Sequence, residues 1–227
     1  MTGFGNVYRS AIGKKAVMAV SGLILFGFVF GHMVGNLKLY LGAAHLNEYA
    51  HFLRVVGEPL VPNTTLLWIA RIVLLLAVIF HIHSAYSLTV MNRDARPVGY
   101  QNRGYAKATY AARTMRWGGV IILLFIIYHL LHLTFGVSKV HPDFIKDDAY
   151  HNVVTGLRVW WVAAFYILAN LALGLHLYHG VWAMFGSVGF TSPRFEPLRR
   201  MFATAFAVII TLGNLSFPIA IVTGLVR

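Results

Sequence analysis

Apolar residues occur along this chain in five long runs that hold few charges and are separated by shorter polar segments. Each run reaches the roughly 20 residues that an α-helix needs to cross a bilayer. Because the runs are continuous rather than alternating, they predict helices and not the strands of a membrane barrel. We therefore expect one domain over residues 1–227, an all-α integral membrane bundle of five transmembrane helices. The predicted spans are about 16–40, 65–90, 117–137, 159–185 and 201–226, and the segments around 59–62 and 139–158 are expected to be loops.

The composition excludes several classes of protein. With 58% apolar and 11% charged residues, the chain has too few polar side chains to cover a soluble globule. The absence of cysteine excludes disulfides, thiolate zinc sites, protein-ligated iron-sulfur clusters and covalently attached haem. The first run follows Lys14 and Lys15 and lacks a small-residue cleavage site, so we expect a retained span and not a cleaved signal peptide.

Basic residues are distributed unevenly between the two sides of the predicted bundle. Of the 19 Lys and Arg residues, 12 fall on the side of the N-terminus, whereas five of the seven acidic residues fall on the other side. The positive-inside rule places the basic side in the cytoplasm of a bacterial-type inner membrane, with the N-terminus inside and the C-terminus outside. The same charge also suits a docking surface for an acidic partner, whereas nucleic acid is not expected as one.

Seven of the 11 histidines lie inside the predicted spans. An ionisable side chain inside a membrane is costly, so its presence there indicates a function. A single membrane histidine can be an interhelical hydrogen-bond donor, but here each of the first four spans carries at least one. Two imidazoles from facing helices hold a b-type haem, so four such helices predict two haem b groups between them. These histidines are His32 in the first span, His81 and His83 in the second, His129 and His132 in the third, and His176 and His179 in the fourth.

The depth of the histidines in their spans predicts how they pair. At about 1.5 Å per helical residue, His32 and His129 lie roughly 20 to 25 Å beyond the basic residues that precede their spans. Both are therefore expected in the outer half of the membrane, where they would ligate the iron of an outer haem. His81 and His176 each lie about 16 Å before the cytoplasmic ends of their helices, so we expect them to hold an inner haem.

The additional histidines leave the choice of ligand open. His81 and His83 point about 200° apart around their helix, so only one of them can face a given iron. The two histidines of the third span, and the two of the fourth, lie three residues apart on nearly one helix face, and periodicity does not choose between them. Beside the first-span histidine, Gly27, Gly31 and Gly35 form a stripe that suits either close helix packing or clearance for a porphyrin.

Several segments resemble a known family, the five-helix, di-haem cytochrome b membrane anchor of succinate dehydrogenase and fumarate reductase. The resemblance covers nearly the whole chain, and its most specific part is H-L-Y-H-G-V-W from His176, followed by T-S-P at 191–193. The other segments are G-K-K-A-V-M-A-V-S-G from Gly13, G-H-M-V-G-N-L around His32, F-H-I-H-S-A-Y with N-R-D-A-R-P after it, and Y-H-L-L-H at 128–132.

The resemblance implies a ligand set, partners and a function. It implies that His32 and His129 bind the iron of the distal haem, and that His81 and His176 bind that of the proximal haem. It also implies that an iron-sulfur subunit, joined to a flavoprotein subunit, docks on the proximal side. Electrons would pass between that subunit and a membrane quinone, and menaquinone is expected because two-haem, single-anchor members of the family commonly use it. The dicarboxylate site of such a respiratory complex II would lie outside this chain.

Other polar residues are candidates for contacts with these groups. Quinone chemistry couples electrons to protons and needs hydrogen-bonding groups near the site. The candidates for the quinone, on the outer side, are His45, His51, Arg54 and Glu58, although a solvated loop also explains them. The candidates for the haem propionates are Lys38, Arg71 and Arg158 at the outer haem and Arg113 and Arg116 at the inner haem, although snorkelling to the interface also explains these.

Two other functions compete with this interpretation. A cytochrome b of a hydrogenase or formate dehydrogenase would also carry histidines in a few helices, but the N-R-x-A-R-P and H-x-x-x-G-x-W segments favour the first family. A haem or metal transporter would use the histidines as a transit path. Such a protein is expected to show internal repeats or broken helices at the membrane midplane, and this sequence shows neither clearly.

Overall fold

The structure is a computed structural model that describes residues 8–95, 110–187, 189 and 192–227. The regular structure in these residues is helical. Within these residues, seven α-helices are connected partly by short 3-10 and π-helical turns. In chain order they are α1 (Ala11–Asn36), a 3-10 turn (Leu37–Leu41), α2 (Ala43–Val55), α3 (Thr65–Asp94), α4 (Tyr110–His129), a π-helical turn (Leu130–Thr134), α5 (Ala149–Arg158), α6 (Trp160–Ser187), a 3-10 turn (Pro193–Phe195) and α7 (Glu196–Val222).

Five helical segments of the described chain are long and apolar enough to cross a membrane, so the protein is a multi-pass membrane protein. The prediction of an all-α bundle with five spans is thereby confirmed. The first and last helices begin earlier than predicted, at Ala11 and Glu196, because polar residues start them. The side chain of Ser10 accepts a hydrogen bond from the backbone N–H of Gly13, and Pro197 occupies the first turn of α7, where no helical N–H partner is needed.

The prediction of a loop over 139–158 is wrong at α5, and the loop expected around His45 and His51 is wrong at α2, whereas residues 59–62 form a turn as predicted. Gly42 has φ 93°, a backbone conformation that favours glycine, and it turns the chain from the end of the first span into α2. Asp148 caps α5 by accepting a hydrogen bond from the backbone N–H of His151. Both helices are amphipathic and too short to span a bilayer, so a search for long apolar runs passes over them.

The two short helices cover one end of the bundle, which we call the cap end. The side chain of Asn47 on α2 donates a hydrogen bond to Asp148 and accepts one from the backbone N–H of Tyr150. These bonds join α2 to α5 over a buried apolar core that also takes in the neighbouring ends of α6 and α7. That core consists of Leu39, Leu46, Val154, Leu157, Val162, Tyr166, Phe217, Ala220, Ile221 and Val226. The opposite end, where α1 and α7 begin, is the basic end.

The spans pack as two groups with a gap between them. Helix α1 packs along α3, α4 packs along α6, α6 packs along α7, and α1 also meets α6 and α7. In the part of the chain that the structure describes, α1 does not pack closely against α4, nor does α3 against α6. Across this gap the helices meet through side chains and not through close backbone contact. The histidines that face each other lie in it.

The outer surface of the spans is apolar, as expected for contact with lipid. Trp68 and Leu75 on α3 are 55% and 61% exposed, and Trp117 on α4 is 74% exposed. Exposing this surface to water would be costly in free energy, whereas lipid tails cover it without penalty. The bundle therefore has little apolar core of its own along α3 and α4, and the membrane is expected to complete their packing.

Candidate functional site

One pair of histidines crosses the gap near the cap end. His32 on α1 and His129 on α4 have ring centroids 5.9 Å apart and ring planes at 85°. Phe28 stacks on His32 at 5.2 Å, and Phe125 lies beside His129 at 5.6 Å, so an aromatic ring supports each imidazole. We call His32 and His129 the cap-side pair. The structure thus brings together the two residues that the depth argument assigned to one haem.

A second pair lies closer to the basic end. His81 on α3 and His176 on α6 have ring centroids 6.2 Å apart, with ring planes at 57°. The Nδ1 atom of His81 lies 3.4 Å from the hydroxyl of Ser21, whereas the Nδ1 atom of His176 is buried without a hydrogen-bond partner. We call His81 and His176 the basic-side pair.

The spacing of the rings fits two imidazoles that share one metal ion. A transition metal binds an imidazole nitrogen at about 2 Å, and that nitrogen lies roughly 1 Å from the ring centroid, so the centroids of two opposed ligands lie about 6 Å apart. The separations of 5.9 and 6.2 Å agree with this distance. Both pairs therefore satisfy a necessary condition for bis-imidazole ligation.

The number of ligands suits haem better than a bare metal ion. Nowhere in the described residues do three or more His, Cys, Asp or Glu side chains form a group that could hold a metal ion. Structural zinc takes four ligands from the protein, and catalytic zinc takes three. A six-coordinate haem iron takes only two, because the porphyrin supplies the other donors. The chemistry of the donor set thus fits the predicted cofactor.

A cavity adjoins the basic-side pair. It lies between α4 and α6, has a volume of about 240 Å³ and reaches the ring of His176. Apolar side chains, including Met115, Ile121 and Leu175, form most of its lining. Gly118 and Gly119 are at this level of α4, and a Cβ atom built on Gly119 would lie 3.9 Å from Cε1 of His176. The surroundings of His176 are therefore open and apolar, which suits a flat apolar ligand.

In the third span the structure distinguishes His129 from His132. The hydroxyl of Tyr166 on α6 lies 3.2 Å from Nδ1 of His129 and 2.9 Å from Nδ1 of His132. His132 is 1% exposed, and a Cβ atom built on Gly156 would lie 2.5 Å from its Nε2 atom. His132 thus has protein against both ring nitrogens, whereas His129 points its ring towards His32. The geometry therefore shows that His129, and not His132, faces His32, a choice that helical periodicity left open.

The same comparison distinguishes the histidines of the second and fourth spans. His83 turns away from the gap. Its Nδ1 atom forms a hydrogen bond of 2.5 Å with the hydroxyl of Tyr8, and its imidazole stacks on the ring of Tyr8. His179 lies beside the indole of Trp182, with ring centroids 5.9 Å apart. Neither residue takes part in the two pairs. Of the histidines that the sequence left open, His81 and His176 are the ones that face each other.

The three glycines of the stripe on α1 have different surroundings. A Cβ atom built on Gly35 would lie 2.6 Å from Cε1 of Tyr49, so this glycine allows close packing of α2 on α1. Atoms built on Gly27 or Gly31 would have no neighbour within 4 Å. Close helix packing, one of the two explanations of the stripe, therefore holds for Gly35 only.

The candidates for propionate contacts are engaged elsewhere or exposed. The ammonium of Lys38 lies over the ring of Tyr49 at 5.6 Å, and the guanidinium of Arg71 lies over the ring of Trp68 at 4.9 Å. The side chains of two others, Arg116 and Arg158, are exposed, and the side chain of Arg113 lies outside the described residues. The structure does not gather these cations around either histidine pair.

The candidates for the quinone do not form a common site. Arg54 makes an ion pair of 2.9 Å with Asp147, which ties α2 to the segment before α5. His45, His51 and Glu58 are exposed on α2 and the turn after it. In the described residues no hydrogen bond or ion pair joins these four side chains to one another. Their role at a quinone stays a prediction.

The polar partners of the paired histidines carry no signal in the sequence. Tyr166 and Ser21 lie on other helices than the imidazoles they approach, and nothing in the local sequence marks them. His141, expected in a loop, is 3% exposed, bonds through Nδ1 to the carbonyl of His132 and lies 3.1 Å from the hydroxyl of Thr155. Such contacts depend on how helices are rotated against each other, which one chain's hydropathy does not encode.

The pKa of Asp148 is lowered at the cap end. The backbone N–H of His151 and the side chain of Asn47 both donate hydrogen bonds to its carboxylate and favour the charged form. Since this carboxylate joins α2 to α5, its charge supports the cap that holds Tyr166 and His132 in place.

Comparison of the chain with protein-family models, with curated proteins and with solved structures returned no match.

Proposed function

We propose that this protein is the di-haem cytochrome b membrane-anchor subunit of a succinate:quinone oxidoreductase, respiratory complex II, in a bacterial-type inner membrane. The observation that carries the proposal is the presence of two imidazole pairs at two depths, each with its rings about 6 Å apart and each contributed by two different spans. In this function the chain passes electrons between an iron-sulfur subunit on its basic side and a membrane quinone. The assignment to this enzyme, rather than to another cytochrome b, rests on the sequence segments that resemble the family.

The residues that would hold the cofactors are His32 with His129 and His81 with His176. When bound, each haem b supplies reversible one-electron exchange at its iron. The chain itself holds the imidazoles at the separation that this ligation requires, and Phe28 orients one of them by stacking. The apolar surfaces of α1, α3, α4 and α6 keep water from the site. Low water content raises the cost of a change in charge, so the surroundings of each pair would influence its potential.

The remaining parts of the proposal rest on the charge of the basic end and on the family resemblance. The basic end fits an acidic partner surface and also obeys the positive-inside rule with the N-terminus in the cytoplasm. A flavoprotein subunit bound to the iron-sulfur subunit would carry the dicarboxylate chemistry. Menaquinone is proposed as the quinone because two-haem, single-anchor members of the family commonly use it. A histidine-lined transporter is disfavoured because none of the described spans is broken at its middle and the histidines form pairs instead of a continuous path.

The first test is the haem content of the full chain purified in detergent. A dithionite-reduced minus oxidised spectrum and a pyridine haemochrome assay are expected to give close to two low-spin haem b groups per chain. His32→Ala or His129→Ala should each remove one haem, and His81→Ala or His176→Ala should remove the other. A well-folded protein without haem would refute the proposal.

Two matched controls lie on the same helices. His83→Ala and His179→Ala remove the same side chain from α3 and α6, and both variants should keep two haems. Loss of a haem in either control, with the corresponding His81 or His176 variant intact, would show that the ligand set is wrong although the protein binds haem.

The choice of partner enzyme needs a different test. The tagged chain, purified in mild detergent from its native membranes, should carry an iron-sulfur and a flavoprotein subunit, and added succinate should reduce its haems. Reduction by hydrogen or formate instead, with no response to succinate, would assign the chain to the rival class of membrane oxidoreductase. Reoxidation by menaquinone and ubiquinone analogues, compared in the same preparation, tests the quinone.

A further inference from the structure

Tyr166 connects the cap-side pair to the cap of the bundle. Its side chain lies on α6, is 6% exposed and places one hydroxyl oxygen within hydrogen-bond distance of two imidazoles, at 3.2 Å from Nδ1 of His129 and 2.9 Å from Nδ1 of His132. Nothing about haem ligation by itself requires this hydroxyl. A buried hydroxyl that satisfies two histidines at once nevertheless restricts the protonation of both.

The directions of these two hydrogen bonds follow from counting protons. A phenol has one hydrogen to donate and lone pairs with which to accept, so only one of the two imidazoles can accept from Tyr166 and the other must donate to it. If His129 binds iron through Nε2, its proton must be on Nδ1. His129 is then the donor, and the hydroxyl donates in turn to Nδ1 of His132. This step rests on the proposed function, because it takes His129 as a ligand.

The acceptor at the end of this chain is itself held in place. His132 is 1% exposed, its ring abuts Gly156 on α5, and its backbone carbonyl lies 3.1 Å from Nδ1 of His141. The ring of His141 lies against that of His132, with centroids 4.7 Å apart. A fixed acceptor orients the hydroxyl of Tyr166, and a fixed hydroxyl orients the imidazole of His129.

We propose that Tyr166 is a positioning residue that holds His129 in the Nδ1–H tautomer and raises its basicity as a ligand of the cap-side haem. A hydrogen bond accepted from the second nitrogen of a ligating histidine has this effect in metal sites generally. A more basic ligand stabilises the oxidised iron relative to the reduced iron. Tyr166 therefore lowers the midpoint potential of the cap-side haem.

The basic-side pair differs in this respect. The hydroxyl of Ser21 lies 3.4 Å from Nδ1 of His81 and donates instead to the carbonyl of Val17 at 2.7 Å, while Nδ1 of His176 has no partner. None of the polar groups beside His81 and His176 belongs to Tyr166. The potential of the basic-side haem is accordingly independent of Tyr166, which makes it an internal reference.

The test compares Tyr166→Phe with Tyr128→Phe in the full chain. Both changes remove one phenolic hydroxyl from the same cluster, since the ring of Tyr128 lies 5.4 Å from that of His132. The hydroxyl of Tyr128 is buried but has no hydrogen-bond partner, so this variant is a matched control. The readouts are a redox titration of each haem, in which the cap-side component is the one that His32→Ala removes, and the low-temperature EPR signal of the oxidised haems.

We expect Tyr166→Phe to retain two haems and to favour reduction of the cap-side haem by about tenfold, which is 59 mV for one electron, with a shifted EPR signal. The basic-side haem and the Tyr128→Phe variant should be unchanged. If Tyr166→Phe loses the cap-side haem, the basic-side haem reports that the fold is intact, and His132→Leu then serves as the second variant, with a smaller shift in the same direction expected.

The outcomes separate this inference from the function on which it rests. Two haems in the native chain with an unshifted cap-side potential in Tyr166→Phe and His132→Leu overturn the role of Tyr166 and leave the function standing. Equal shifts in Tyr166→Phe and Tyr128→Phe also overturn it, because the effect would then come from lost hydroxyls in general. If the native chain contains no haem, both the role of Tyr166 and the proposed function are overturned.

Discussion

Replacing Gly156 by alanine is expected to destabilise the cap and the histidine cluster beneath it. In the middle of a helix this change is ordinarily favourable by about 0.5–1 kcal/mol. At Gly156, however, the new Cβ would lie 2.5 Å from Nε2 and 2.6 Å from Cε1 of His132, and 3.2 Å from Cε1 of His141. His132 is 1% exposed and is held by Tyr166, so it has no free space into which to move.

The expected size of the effect follows from these contacts. Overpacking in a filled core costs about 1–3 kcal/mol, and displacing His132 would also break its hydrogen bond to Tyr166, worth about 1 kcal/mol. After subtraction of the helix-propensity gain, Gly156→Ala should lower the free energy of unfolding by about 1–3 kcal/mol. For a chain of this size each kcal/mol corresponds to a decrease of roughly 2–4 °C in Tm.

The assay is thermal unfolding in detergent, followed by near-ultraviolet circular dichroism, with Gly31→Ala as the matched control. Gly31 is also helical, but a Cβ atom there would have no neighbour within 4 Å, so this variant should have an unchanged or slightly higher Tm. The reasoning would be refuted if Gly156→Ala were as stable as Gly31→Ala, because the ring of His132 would then not be confined as the structure indicates.

Three further predictions concern the two ends of the bundle. Asp148→Asn keeps an oxygen that can cap α5 but removes the negative charge, so it should destabilise the cap at neutral pH by about 0.5 kcal/mol. Because the folded pKa of Asp148 is lowered, that difference should disappear in urea titrations as the pH falls below 3.8, its ordinary value, and through the folded pKa. Arg54→Ala removes a partly exposed ion pair with Asp147 and should cost under about 1 kcal/mol, less at high salt. Arg199→Met removes the hydrogen bond to the carbonyl of Trp182 and the ion pair of 3.2 Å with Glu196, and should lower Tm by a few degrees, as measured by differential scanning fluorimetry, from a loss of about 1–2 kcal/mol.

The sequence predicted the spans well because membrane insertion depends on a local property. A helix in lipid satisfies its own backbone hydrogen bonds, so a long apolar run has almost no alternative structure, and its position can be read without knowing its neighbours. The pairing of His32 with His129, and of His81 with His176, was also accessible. The depth of a residue in a helix follows from counting residues, and the basic residues at the helix ends mark the membrane boundary from which the count starts.

The short helices α2 and α5 were not accessible in the same way. Each buries only one face, and the buried residues, such as Leu46 and Val154, are too few and too widely spaced to stand out as an apolar run. Their stability depends on contacts between distant segments, above all the bonds that Asn47 makes to Asp148 and Tyr150. A pattern search along one segment does not detect contacts of this kind.

The number of spans, their order and the depth of each histidine were thus determined by the sequence alone, since hydropathy and helical rise act within single segments. Only the tertiary structure decided that His129 and not His132 faces His32, and that Tyr166 lies between the two. Two residues three positions apart share a helix face, so the decision depends on which atoms fill the space around each. Those atoms belong to α5 and α6, and their positions are set by packing between helices.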